Sequence, residues 1–220
     1  MDNRHWTLDP QIDEYLHDMP PPPKEMMDRL IREREPIEQA APQPGDQAPD
    51  FEAERLSADG SRTGEMVRLS DLRGKPVALL FGNFTCPVYR GQIGRFNEIY
   101  QELKDRFRFL NIYTREAHPT DGWRLEINDR QGVEHEQPGT TDERVIVVKS
   151  CQSRHSIEIP LALDSMDDDI EKLYSGIPER LYIIDEHGIV TYRCGRGPFD
   201  MATIESWHAA LLEQAKGTGV

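Results

Sequence analysis

The chain has few cysteines and no long apolar run. Only three of its 220 residues are cysteines, at positions 86, 151 and 194. They do not make the disulfide framework of a small secreted protein, and they fit a reduced compartment and thiol redox chemistry. No window approaches the 18 apolar residues of a membrane span, and the first residues lack an apolar signal region. The sequence therefore predicts a cytoplasmic protein without a membrane partner.

Positive charge is also scarce. Lys and Arg total 26 against 40 Asp and Glu, for a formal net charge of −14. An acidic surface repels phosphate backbones, which disfavours nucleic acid as a partner. The acidic residues between 164 and 169 lack the spacing and turn glycine of a calcium loop. We expect no metal site and no bound cofactor.

Proline is concentrated near the N-terminus. Nine of the sixteen prolines lie in the first fifty residues, so residues 1–45 are predicted to be an acidic, Pro-rich arm preceding a domain over 46–220. The apolar spacing favours a short helix over 24–35, stopped by Pro36. Two interpretations stay open: an arm that wraps its own domain or a partner subunit of a possible homodimer, or a partly disordered tail.

The domain itself alternates strands and helices. An uncharged run over 77–84 predicts a strand buried on both faces, and apolar spacings of three and four predict a helix over 88–106. Further strands are predicted at 107–113, 159–164, 180–184 and 189–193, with helices at 141–151, 167–174 and 202–212 and an insertion after the second core strand. This order predicts an α/β fold in which a mixed central sheet has helices on both faces.

Cys86 stands where the buried strand turns into a helix. Pro87 follows it, and proline is favoured at the first helical position. The N–H groups at a helix N-terminus stabilise a thiolate, so the sequence predicts a lowered thiol pKa and a reactive Cys86. Because position 89 is Tyr, there is no Cys-x-x-Cys motif. A lone thiolate must then be restored by a second thiol, either Cys151, Cys194 or an external reductant.

Several segments resemble known families. The entry segments Gly45–Phe51 and Leu72–Pro76 resemble the thioredoxin-fold, peroxiredoxin-like proteins. Four further motifs occur in the order and approximate spacing of the iodothyronine deiodinases. They are Phe-Gly-Asn-Phe-Thr-Cys-Pro at 81–87, Glu-Ala-His-Pro-Thr-Asp-Gly-Trp at 116–123, Glu-Arg-Leu-Tyr-Ile-Ile at 179–184 and Gly-Arg-Gly-Pro at 195–198. The chain looks like a soluble deiodinase-like protein that carries cysteine.

This resemblance implies a set of site residues. Cys86 falls where the family has selenocysteine, Glu116 and His118 fall on its conserved Glu and His, and Arg180 falls on its substrate-clamping arginine. Sulfur in place of selenium is a weaker nucleophile and a poorer soft partner for iodine. Side chains two apart on an extended chain share a face, so we expect Glu116 to set His118 as the acid that protonates the leaving carbon.

Three other residues are candidates for substrate contact. Thr85 adjoins the cysteine, Trp123 is expected either to wall the pocket or to plug the core, and Pro160 is expected to form a cis peptide close to Cys86.

The sequence leaves three functions open. The first is thiol-dependent removal of iodine from an iodinated aromatic substrate, with thioredoxin or glutathione as the external reductant. The second is a peroxiredoxin-like peroxidase acting on peroxide, although Gly82 stands where the usual proline is expected. The third is a non-catalytic binding module, for which the Cys86 pKa is that of an ordinary thiol.

Overall fold

A computed structural model describes residues 9–19, 22–197 and 200–217. Its helices are α1 (Pro10–Asp18), α2 (Lys24–Ala40), α3 (Pro87–Leu103), α4 (Glu126–Arg130), α5 (Thr141–His155), α6 (Asp169–Tyr174) and α7 (Met201–Gly217). Its strands are β1 (Glu52–Leu56), β2 (Arg62–Arg68), β3 (Val77–Gly82), β4 (Arg108–Tyr113), β5 (Leu161–Leu163), β6 (Arg180–Ile184) and β7 (Val190–Arg193). Pro20 and Pro21 of the predicted Pro-rich arm lie outside the described residues.

One seven-stranded sheet organises the domain, in the order β2-β1-β5-β4-β3-β6-β7. The central strands β3, β4 and β5 run parallel, and β6 pairs antiparallel with β3. Every residue of β3 is buried, as its uncharged sequence predicts for a strand covered on both faces. The parallel pairing of β3 and β4 brings the chain segments that follow them, at 83–86 and 114–118, to the same edge of the sheet.

Helices cover both faces of the sheet. One core contains the apolar faces of α3, α5 and α7, with Trp207 fully buried at its centre. The other core, smaller, lies under α6 and the segment from Phe51 to Leu72. The predicted mixed sheet with helices on both faces is thus confirmed. The insertion contains a short helix, α4, in a stretch that the sequence pattern left irregular.

The N-terminal arm is helical and packs on its own domain. Ile12 of α1 is 2% exposed and packs against the insertion residues Leu125 and Ile127. The prediction that α2 stops at Pro36 is wrong, because the helix continues to Ala40 with Pro36 inside it. A proline removes one helical hydrogen bond, and here the turns on both sides of Pro36 are held by ion pairs to the domain.

Three ion pairs hold α2 to the sheet and to α6. Arg34 and Glu171 are both buried and form a two-pronged pair, with a 2.9 Å bond from Nη1 to Oε2. One turn later, Glu38 accepts hydrogen bonds from Arg180, Arg193 and the Ser175 hydroxyl. Such charge-assisted bonds are the stronger kind, so the second half of α2 is anchored. Among the described residues, no helix is long and apolar enough to cross a membrane.

We predict that Arg34→Met destabilises the protein strongly. The change leaves the Glu171 carboxylate, which is fully buried, without its partner, and removing one member of a buried pair costs about 3–5 kcal/mol. Urea unfolding followed by circular dichroism should measure this loss in the free energy of unfolding. Arg130→Met is the control, because the Arg130–Glu126 pair is exposed on both sides and its loss should not change the midpoint measurably. Equal midpoints for the two variants would contradict the anchoring role.

Candidate active site

The turn between β3 and α3 carries Cys86. Cys86 is the N-cap of α3, and its N–H donates to Asn83 Oδ1 at 3.1 Å. The residue is only 1% exposed. Burial raises the pKa of the Cys86 thiol, Glu179 adds to the rise, and the N–H groups of Tyr89 and Val88 at the helix start oppose it. The predicted lowering of the pKa is therefore wrong for this structure, because desolvation of the sulfur outweighs the helix terminus.

Asn83 joins three chain segments at this turn. Its side-chain oxygen accepts from the N–H groups of Cys86 and Ala117, and its Nδ2 donates to Pro178 O at 3.0 Å. Asn83 is fully buried, and a buried amide is stable only when its groups are paired. The side chain thus ties the cysteine turn to the loop after β4 and to the segment before β6. The sequence analysis did not single out Asn83.

Glu116 accepts hydrogen bonds that stabilise the Cys86 turn, and it does not bind His118. Its Oε2 accepts from the Thr85 N–H at 2.8 Å and its Oε1 from the Tyr113 hydroxyl at 2.7 Å. Burial raises the pKa of Glu116 in spite of these bonds. The expected Glu116–His118 pair does not form, because the carboxylate is turned towards the backbone of the cysteine turn.

Thr85 is a link within the turn. It is fully buried, its hydroxyl accepts the His118 backbone N–H at 3.0 Å, and it donates to Asn83 Oδ1 at 3.3 Å. Both roles of the hydroxyl are therefore occupied. The structure places Thr85 behind the cysteine as a support of the His118 segment.

His118 is held by Trp123. Its Nδ1 lies 3.1 Å from the Trp123 carbonyl oxygen, which can only accept, so Nδ1 carries the proton. The two rings pack edge to face with centroids 4.7 Å apart. Burial lowers the pKa of His118 to about 4, although part of the side chain still reaches solvent. At neutral pH the ring is thus uncharged with a free lone pair on Nε2, which makes it a proton acceptor in the resting state.

A cavity of about 690 Å³ opens over the cysteine. Cys86, Glu116, His118 and Trp123 all line it, so Trp123 walls the pocket. The volume lies in the range of small-molecule sites, ~300–1,000 Å³. Its other sides come from the arm and from the segments before β6 and after β7. Apolar side chains of the arm supply much of this wall: Leu16, Met19, Met26, Met27, Leu30 and Ile31.

Arg180 lies outside this cavity. It is fully buried on the central strand β6, where its guanidinium binds Glu38 and the carbonyl oxygens of Ser175 and Cys194. The resemblance pointed to a substrate contact, but all of these partners are structural. Arg196, which sequence analysis overlooked, lines the cavity instead. Its only carboxylates within 4 Å among the described residues are Glu35 at 3.9 Å and Glu38 at 3.7 Å.

Among the described residues the cis proline is Pro178, and the expected cis bond at Pro160 is wrong. Pro160 stands at the start of β5, two strands from β3, and its carbonyl accepts from Asn111 N–H at 2.9 Å. Because β5 runs parallel to β3, its start faces away from the Cys86 turn. Pro178 precedes β6, which is antiparallel to β3, so this proline lies beside the cysteine and lines the cavity.

The other two cysteines are buried and free. Cys151 is fully buried within α5, and burial raises the pKa of its thiol. Cys194 follows β7, its sulfur accepts from Leu181 N–H at 3.1 Å, and burial raises its pKa to about 12. Neither thiol lines the cavity. Among the described residues, no group of three His, Cys, Asp or Glu is placed to hold a metal ion.

The family model described as iodothyronine deiodinase matches residues 34–215 of this chain. This chain belongs to the iodothyronine deiodinase family. The type I iodothyronine deiodinase of Xenopus laevis is 32% identical over 156 residues, which cover 70% of this chain and 59% of that protein. The thyroxine 5-deiodinase of Bos taurus is 30% identical over 145 residues, covering 65% of this chain and 46% of that protein. The chain spans about half the length of these curated deiodinases.

Solved structures support the fold. The thioredoxin domain of a thiol-disulfide oxidoreductase from Bacteroides vulgatus matches with a TM-score of 0.54 at 17% identity, covering 79% of this chain and 98% of that one. The reduced 2-Cys peroxiredoxin of Plasmodium vivax matches with a TM-score of 0.51 at 18% identity, covering 77% and 97%. The thioredoxin-like fold predicted for this deiodinase-family chain is confirmed.

We predict that the His118 ring titrates near pH 4 in the folded protein, because burial disfavours imidazolium. In the unfolded chain the ring takes up its proton near 6.5. Between these values the unfolded state binds more protons, so the free energy of unfolding should fall as the pH drops from about 6.5 to 4.

NMR titration of the histidine ring protons checks this prediction. The pKa of His155 is lowered in the same way, so His118→Gln is needed to assign the signal and to show which part of the pH dependence disappears with His118. A His118 ring that titrates at its ordinary 6.5 in the folded chain would contradict its buried placement.

Proposed function

We propose that this protein removes iodine reductively from iodinated aromatic compounds, with Cys86 as the nucleophile and an external thiol as the reductant. The observation that carries the proposal is the placement of Cys86 at the floor of a cavity of about 690 Å³, with His118 in the same wall. A cysteine at a helix N-terminus and a histidine in one pocket are the parts that thiol-based attack needs.

His118 provides the proton path. Its Nδ1 proton is held by the Trp123 carbonyl, so Nε2 accepts the proton of the Cys86 thiol. The same nitrogen then delivers that proton to the aryl carbon as iodine leaves. The resting ring is neutral because burial lowers its pKa to about 4, and the imidazolium formed on proton transfer is therefore a strong acid for the second transfer.

The proposed reaction needs the Cys86 sulfur as the nucleophile and two external thiol groups as the reductant. The sulfur of Cys86 bonds to iodine, the carbon–iodine bond breaks, and the carbon receives the proton from His118. Carbon is reduced and the sulfur is oxidised to a sulfenyl iodide. A first external thiol displaces iodide to give a mixed disulfide, and a second thiol, from glutathione or thioredoxin, releases Cys86. Cys151 and Cys194 are buried away from the cavity, which favours an external thiol over either of them.

Arg196 suits the acidic end of a substrate. It lines the cavity, and its ion pairs at 3.7 and 3.9 Å are longer than ordinary hydrogen bonds. An arginine binds a carboxylate through two parallel N–H groups. An iodinated aromatic amino acid therefore has a partner for its carboxylate here, and Arg180 does not compete for it because it is buried against Glu38.

In the proposed complex, the aromatic rings of the substrate contact helix α2 of the N-terminal arm. Met27 and Leu30 of α2 line the cavity, and both are half-buried. The family model begins at residue 34, so this part of α2 precedes the segment that matches other deiodinases. Methionine is flexible and polarisable and packs well against aromatic rings, which suits a wall for iodinated rings.

The peroxidase alternative is less favoured. Hydrogen peroxide needs a small polar site, whereas this cavity is large and mostly apolar. The Thr85 hydroxyl, which is the polar group closest in sequence to the thiol, is engaged with the His118 N–H and Asn83. A non-catalytic binding module does not require a thiol and a neutral histidine in one pocket. Loss of turnover in the Cys86 and His118 variants distinguishes an enzyme from such a module.

We predict that Cys86→Ser abolishes iodide release from an iodothyronine with dithiothreitol as reductant, and that His118→Phe lowers it at least about 100-fold, the usual contribution of a proton-transferring residue. Hydrogen peroxide is assayed side by side. His118→Phe should leave the fold and Cys86 labelling nearly intact. Rapid peroxide reduction without iodide release would contradict the proposal and favour the peroxidase.

We predict that Met27→Gln raises the KM for an iodothyronine about tenfold and changes kcat less, because the amide replaces an apolar contact worth about 1–2 kcal/mol. Steady-state iodide release measures both constants. Met66→Gln is the matched control, since Met66 is 53% exposed on β2 and lies outside the cavity. Equal KM values for the two variants would remove α2 from the substrate wall.

A further inference from the structure

Arg90 is a buried cation one helical turn after Cys86. It is 3% exposed. Its Nη1 donates to Phe84 O at 2.6 Å, and its Nη2 donates to Asn128 Oδ1 at 2.9 Å and to Gln131 Oε1 at 2.7 Å. The guanidinium also lies 5.8 Å from the centre of the Phe84 ring. All three hydrogen-bond acceptors are uncharged oxygens.

The other buried arginines are neutralised. Arg34 meets Glu171, Arg144 meets Asp168 and Arg180 meets Glu38, each within 4 Å. In the part of the chain that the structure describes, no carboxylate lies within 4 Å of Arg90. Burying an unpaired charge is costly, and arginine cannot shed its proton to avoid that cost. The positive charge of Arg90 therefore acts on the groups around it, in surroundings that screen it weakly.

Cys86 is the group on the same helix whose ionisation would balance this charge. Arg90 favours the thiolate form of Cys86, while Glu179, in the segment before β6, opposes it. Deprotonation of Cys86 would place a negative charge one helical turn from a cation that has no carboxylate within 4 Å among the described residues. The Glu116 carboxylate also attracts Arg90, but its oxygens are engaged by Thr85 N–H and the Tyr113 hydroxyl. The titratable and charged groups near Cys86 and Arg90 on the surrounding elements are Tyr89 of α3, Glu116 and His118 after β4, His135 in the insertion, Cys151, Arg154 and His155 of α5, and Glu179.

We propose that Arg90 is the counter-ion that stabilises the ionised sulfur of Cys86, and that it holds the cysteine turn through Phe84 O. It is a positioning residue, since it acts through the sulfur and does not line the cavity. The proposal rests on Cys86 being the nucleophile of the proposed function. The step is a proton transfer from the S–H bond of Cys86 to His118 Nε2, in which Arg90 stabilises the thiolate and opposes the imidazolium. No electron moves until the sulfur attacks.

The hydrogen-bond network suggests the variants that separate charge from support. Asn128 accepts from Arg90 and also donates through its Nδ2 to Thr85 O at 2.9 Å, so it supports the same turn without any charge. Gln131 accepts from Arg90 through its side-chain oxygen. Gln131→Glu would supply the carboxylate that Arg90 lacks, at nearly constant shape and without altering Arg90 itself.

The test measures the apparent pKa of Cys86 in the full chain, from the pH dependence of iodoacetamide labelling read by mass spectrometry of the Cys86 peptide. Arg90→Gln should raise this pKa by at least one unit, a tenfold loss of thiolate at a given pH. Arg90→Lys should keep it within about half a unit of the parent. Gln131→Glu should raise it in the same direction as Arg90→Gln while the thermal midpoint stays equal or rises. Asn128→Ala should leave it unchanged.

A purely structural role predicts a different pattern. In that case Arg90→Lys and Asn128→Ala would shift the labelling pKa as much as Arg90→Gln does, and Gln131→Glu would shift nothing. Either result would overturn the proposal. If Arg90→Gln does not fold, Gln131→Glu decides alone, because it retains the arginine. Iodide release is measured separately. If the protein releases no iodide, the labelling pKa still tests the counter-ion role of Arg90. If iodide release is normal and the labelling pKa of Arg90→Gln is unshifted, the counter-ion role is refuted and the proposed function stands.

Discussion

Burial of the turn between β3 and α3 is the constraint on which the rest of the site depends. A turn without solvent must have its polar groups paired inside the protein. Asn83 pairs with three segments, Glu116 pairs with the backbone of Thr85, and Arg90 pairs with Phe84 O. The same burial raises the pKa of Cys86. Burial thus holds the Cys86 sulfur rigidly at the expense of its ionisation, and in the proposed reaction the surrounding charges and bases have to compensate.

The groups that affect the ionisation of Cys86 lie on several different elements of the fold. The helix terminus and the Arg90 guanidinium favour loss of the Cys86 proton, and burial and Glu179 oppose it. Charge effects are large here because a buried site screens them weakly. The arm adds apolar surface above the sulfur and is itself fastened by Arg34 and Glu38. Helix α2 therefore joins the ion pairs that anchor the arm to the apolar wall of the cavity that Cys86 lines.

Local sequence pattern was enough to predict the helices and strands. It gave wrong predictions where contacts between residues far apart in the chain determine the structure. The apolar runs predict the strands at 180–184 and 189–193. The buried strand followed by Pro87 predicts the cysteine at the strand-to-helix turn. Helix α2 runs past Pro36 because ion pairs to α6, β6 and β7 outweigh one lost hydrogen bond. Glu116 lies in the predicted segment, but its partner is Thr85 rather than His118, since spacing along a chain does not state which way a loop turns.

The sequence by itself determined the fold class and the family, and it singled out Cys86 and His118 as candidate site residues. These inferences depend on periodicity, capping and contiguous motifs that are written locally. Only the tertiary structure decided the Cys86 pKa, the choice of Arg196 over Arg180 at the cavity, the cis bond at Pro178 rather than Pro160 and the pairing of Arg90 with uncharged oxygens. Each of these depends on desolvation or on contacts between residues far apart in the chain. Burial and charge pairing are properties of the packed molecule, and no local pattern records them.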